Sequence, residues 1–187
     1  DSLREVEKRI RELIRENEEL VKEVLERSKR LVDEDRETAE RLRKTVEELL
    51  KRLREVADKE LQDKDTLREM VKKVIEDVRR LLEELRRHSE KILRDDKRLV
   101  DELRKHSEDV KREVDKLLKE LLEELKDVDE VRKALEDLKR TVDESERRTE
   151  EVLKESEDLS RRSLKETEDL LRELEKRVKE VADRVED

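Results

Sequence analysis

Residues 87–108 read RHSEKILRDDKRLVDELRKHSE, and the dipeptide His88-Ser89 returns 18 residues later as His106-Ser107. These are the only two histidines in the chain. An α-helix has about 3.6 residues per turn, so an interval of 18 closes after about five turns and returns a side chain to the same face. A heptad repeat drifts by about 20° per repeat and imposes a supercoil, whereas an 18-residue repeat does not drift. The spacing therefore predicts a straight helix with both histidines on one side. The interval recurs elsewhere. Asn17 and Asp35 are 18 apart, and Ser145-x-x-x-Thr149 returns as Ser163-x-x-x-Thr167. Each of these polar residues falls where the surrounding pattern calls for Leu or Val.

That pattern is helical almost throughout. Leu3, Val6, Ile10 and Leu13 open one stripe, Leu67, Val71, Val74 and Val78 a second, and Val131, Leu135, Leu138 and Val142 a third. Apolar residues at intervals of three and four form one face of a helix. Two segments interrupt the stripes with one spelling, ELQDKD at 60–65 and ELKDVD at 124–129. Aspartates favour turns and helix starts, because the carboxylate accepts a hydrogen bond from the unpaired N–H groups of the next helix. Ser2 with Glu5, Thr66 with Glu69 and Asp127 with Glu130 have capping-box spacing. The expectation is three helices of about 60 residues, over 2–60, 65–124 and 129–186, with turns at 61–64 and 125–128. At about 1.5 Å per residue each helix is roughly 90 Å long.

An up-down-up arrangement can be tested by arithmetic, since level residues of antiparallel neighbours have a constant sum. Asn17 with His106 and Asp35 with His88 both give 123, and His106 with Ser145 and His88 with Ser163 both give 251. Ser28 with Asp96 gives 124 and Asp96 with Ser156 gives 252, whose halves fall on Gln62 and Lys126. Those two residues sit in the segments already read as turns. The register predicts three polar levels: Asn17, His106, Ser145 and Thr149; Ser28, Asp96, Ser156 and Ser160; and Asp35, His88, Ser163 and Thr167. Ser107 and Ser89 fall at nearly the same heights as their neighbouring histidines, and Thr38 lies about one turn from Asp35. A buried polar group is costly unless hydrogen-bonded. Levels that combine donors and acceptors from three helices are therefore expected to be structural networks that penalise a slipped register.

Composition narrows the function. Charged residues are 59% of the 187, hydrophobic residues 31%, and Gly, Pro, Cys and aromatics are absent. Ordinary globular domains are about 25% charged. The net charge of −9 comes from interspersed signs, without the basic stripe or aromatic platforms of a nucleic-acid binder. No apolar run approaches the ~18 residues of a membrane span. Absence of Cys excludes disulfides and thiol chemistry. Asp35, His88 and Ser163 are the residue types of a hydrolytic triad, but a nucleophile also needs an oxyanion hole and a substrate pocket, which a packed helical core does not supply. Zinc takes three or four protein ligands, and neither level has two histidines. The expectation is no enzyme, no metal and no cofactor.

The repeated His88/His106, Ser145/Ser163 and Thr149/Thr167, the two ELxDxD turns and the helices free of Gly and Pro together resemble de novo designed helical bundles. The resemblance is to parametrically built, near-untwisted bundles with buried hydrogen-bond networks, and it covers the whole chain. Spectrin-like three-helix repeats have shorter helices and core aromatics. The resemblance implies one elongated, all-α, antiparallel three-helix bundle domain over 1–187. It also implies a structural scaffold with no natural localisation, made as a recombinant soluble protein in a cytoplasm; the start at Asp1 without Met fits a processed recombinant product. The alternative is a component of a designed hetero- or homo-oligomer. In that case Ile14, Leu25, Val32 and Leu50, at one edge of the first stripe, would meet a helical partner or a second copy.

Overall fold

The structure is a computed structural model and describes residues 2–58, 64–124 and 129–186. All of them are helical: α1 is Ser2–Asp58, α2 is Lys64–Glu124 and α3 is Asp129–Glu186. Gln62, Lys126 and Asp127, on which the turn readings rest, lie outside the described residues. Glu5 and Asp65 stand in the first turns of α1 and α2, where a carboxylate faces the positive end of the helix dipole. One detail is corrected. The sequence places Thr66 at a helix start, but α2 already begins at Lys64, so Thr66 sits within its first turn.

Packing divides the chain into two compact units, one of 1–29 and 96–159, the other of 30–95 and 160–187. Each helix contributes a segment to each unit. In the first, ion pairs join Arg9 to Glu113, Arg104 to Glu157 and Lys111 to Glu146. From Arg104 to Lys111 the α3 partner falls from Glu157 to Glu146, and from Arg9 to Asn17 the α2 partner falls from Glu113 to Ser107, so α2 runs antiparallel to both α1 and α3. In the second unit Arg36 meets Glu166 and Arg177 meets Glu47. Both pairs are 130 residues apart in sequence, which makes α1 and α3 parallel there. Arg86 on α2 reaches Glu175 on α3.

The apolar stripes close these cores. In the first unit Ile10, Leu13, Ile14, Val114, Leu138 and Val142 form one cluster, and Val21, Val24, Val100, Leu103 and Leu153 form another. A third packs Leu121 and Leu135 with Leu3, Val6 and Leu118. In the second unit one cluster includes Val46, Leu50, Val78, Leu85, Leu171 and Leu174. Burying each such side chain contributes roughly 1.5–3 kcal/mol. For helices built largely of charged residues, this burial and not propensity is the main source of stability.

Candidate functional site

The gap between the first two clusters is polar. Asn17 on α1 is buried between Ile14 and Val21, and it meets the other two helices. Its Nδ2 donates to Thr149 Oγ1 at 3.2 Å, and its Oδ1 accepts from Ser107 Oγ at 3.0 Å and lies 3.2 Å from His106 Nδ1. The direction of these bonds follows from one hydroxyl. Thr149 spends its hydrogen on the Ser145 carbonyl at 2.9 Å, so its oxygen can only accept. The amide nitrogen of Asn17 must therefore face α3 and its oxygen α2, which makes His106 Nδ1 a donor.

In the second unit Asp35 takes the place of Asn17, and the residue is 2% exposed. Oδ1 accepts from Ser89 Oγ at 2.8 Å, and Oδ2 accepts from Ser163 Oγ at 2.9 Å and Thr167 Oγ1 at 3.3 Å. A carboxylate only accepts, so Thr167 turns its hydrogen inward, where its counterpart Thr149 turns it to its own helix. Three hydroxyls from two helices offset part of the desolvation of a buried charge.

Some expected members stand apart. His88 is one-third exposed, and its Nδ1 is 3.6 Å from Asp35 Oδ1, too long for a hydrogen bond; Nε2 is 3.9 Å from Glu34. The neighbouring Ser89 makes the short contact instead. Thr38 is half-buried and donates to the Glu34 carbonyl at 2.9 Å, so it caps its own preceding turn rather than joining Asp35. In the remaining level Ser28 and Ser156 are fully buried, and neither hydroxyl has a hydrogen-bond partner. A serine hydroxyl lies only two bonds from its Cα and spans an interface only where backbones come close. Asp96 is buried in the same unit and is engaged, while Ser160 is half-buried in the other.

The chemistry open to these groups follows from the directions. Ser163 aims its hydrogen at Asp35, and not at His88, so serine and imidazole are not joined as nucleophile and base. Among the described residues no three His, Cys, Asp or Glu side chains gather to hold a metal ion. No described helix is long and apolar enough to cross a membrane. The sequence did not reveal Ser89 and Ser107 as the main α2 donors, because a histidine beside each serine points the same way within one helical step.

No protein-family model matches the sequence, and no curated protein matches it. Among solved structures, the chain is similar to one described as a computationally designed three helix bundle. The match has a TM-score of 0.76 and 21% identity, and covers 98% of this chain and 90% of that one. At that identity the likeness concerns the fold, and the fold it shows is the three-helix bundle.

Proposed function

We propose that this chain is a designed structural scaffold, and that its buried polar levels serve to fix the register of its helices. The observation that carries the reading is Asp35, a residue 2% exposed whose carboxylate holds hydroxyls from both other helices. A buried charge adds little net stability over an apolar core of the same volume. Its value lies in what a slip would leave unpaired. The 18-residue repetition, the uniform composition and the likeness to a designed bundle support the same conclusion.

The test removes one level as a unit: Asp35→Leu, Ser89→Ala, Ser163→Ala and Thr167→Val together. The expected variant is as stable as the parent or more so, but gives more than one set of amide resonances or a mixture of masses. A variant with one set of resonances and the parent's interhelical contacts would show that this level does not specify register.

A second reading, an oligomer component, has one observation in its favour. Leu122 and Met70 are 51% and 45% exposed. Against it, Ile14, Val32 and Leu50 are buried within the chain itself.

A further inference from the structure

The Asn17 level is not sealed. On its α2–α3 side lies a cleft of about 250 Å³. Asn17, Ser107, Ser145 and Thr149 form its polar floor. Ile14, Val110, Val114, Val142 and Leu153 form its apolar walls. Lys111 and Glu146, paired at 3.8 Å, belong to its rim.

The floor has an imbalance. Ser107 gives its hydrogen to Asn17 and Thr149 gives its hydrogen to a backbone carbonyl, so both present oxygen lone pairs. Ser145 is 5% exposed, and its hydroxyl has no hydrogen-bond partner among the described residues, although its counterpart Ser163 bonds Asp35. The reason is the amide: Asn17 turns its oxygen to α2 and meets α3 through Thr149, which leaves Ser145 idle. The cleft therefore holds one unpaired hydroxyl and an excess of acceptors. A hydroxyl that opens on the cleft and bonds no protein group is available to a bound molecule.

We propose that this cleft binds a small neutral aromatic alcohol, with its hydroxyl on Ser145 and its ring between the valines of α2 and α3. The inference goes beyond the scaffold reading and does not depend on it. Size fits, since an apolar cavity of about 150 Å³ takes benzene, and the larger volume leaves room for ring substituents. Charge fits as well. Lys111 and Arg104 are each paired with a glutamate, and Glu108 and Glu150 also line the cleft, so an anion gains no free cation there. A phenolic hydroxyl is a strong donor, matching the surplus of acceptors, and can also accept from Ser145.

The test is a methyl-resolved NMR titration of the full chain with p-cresol and, in parallel, toluene. The expected result is saturable shifts at Ile14, Val114 and Val142 with p-cresol. Ser145→Ala should weaken p-cresol about fivefold, the value of one net hydrogen bond, and leave toluene unchanged. Val142→Met, which narrows the cleft from an apolar wall, should weaken both ligands at least tenfold. Absence of saturable shifts, shifts spread equally over the second unit's core, or equal weakening of both ligands by Ser145→Ala would each overturn the proposal. If Ser145→Ala does not fold, the Val142→Met titration decides alone: unchanged binding rejects the site.

Discussion

At the scale of single residues, two chemically similar levels differ by one atom pair, and the hydroxyls around them reorient accordingly. Asn17 both gives and accepts, so Thr149 is free to bond its own helix. Asp35 only accepts, so Ser163 and Thr167 both turn toward it. This predicts opposite outcomes for one substitution at different serines. Ser163→Ala removes a donor from a buried carboxylate and should destabilise by about 1.5–3 kcal/mol. Ser28→Ala and Ser156→Ala remove hydroxyls that bond nothing and should leave stability unchanged or raise it by up to about 1 kcal/mol. Urea denaturation of the three variants against the parent checks this; a loss at Ser28 equal to that at Ser163 would contradict the assignment. The sequence shows that these positions are polar and level. It does not show which hydroxyl is used, because that depends on rotamers and on a few tenths of an ångström between helices.

At the scale of elements, charged residues do local work. Glu47 accepts from Arg43 one turn away on α1 at 3.2 Å and from Arg177 on α3 at 3.1 Å, and Arg177 also holds Glu173 at 2.9 Å. The hydrogen bond from Arg43 lowers the Glu47 carboxyl below its ordinary value of 4.5; desolvation opposes this and Arg177 adds to it. A carboxyl lowered on folding stabilises the fold above its unfolded value, and that contribution is lost as pH falls through the folded value. Its contribution should therefore be complete above about pH 4.5 and fade below it. Glu47→Gln should cost under about 1 kcal/mol at pH 7, as expected of a solvent-accessible cluster, and should flatten the fall in Tm between pH 5 and pH 3. An unchanged acid slope would show that the cluster contributes nothing measurable. Helix number and bounds were legible to within a residue or two, because stripes at intervals of three and four are long and two aspartate-rich segments break them. Capping was less legible: Thr66 has the right spacing, but α2 starts earlier.

For the whole molecule, the question is whether one chain closes its own core. The edge residues Ile14, Val32 and Leu50 are buried, and Leu25 is half-buried. Signs are mixed along every helix, with a net charge of −9, which favours dispersed chains. Light scattering should therefore give the mass of one chain, 22.8 kDa. A dimer mass that falls to one chain on Leu122→Glu or Met70→Glu would instead support the oligomer reading. The order of the helices was legible from constant sums, and the 128 residues between Asp35 and Ser163 are the offset those sums require. The cleft beside Asn17 was not legible, since no spacing in the sequence marks where packed side chains leave a gap.

That amide has a further consequence. Donation around Asn17 runs one way, from the His106 ring through the side chain of α1 to Thr149 and finally to a backbone oxygen of α3. The last acceptor is a peptide carbonyl, which cannot reverse its role. The tautomer of His106 is thus dictated by the main chain of a helix that the ring's own bond does not touch. Its two nitrogen resonances become a remote reporter: loosening of α3 at Ser145 would be read as proton exchange on an imidazole of α2.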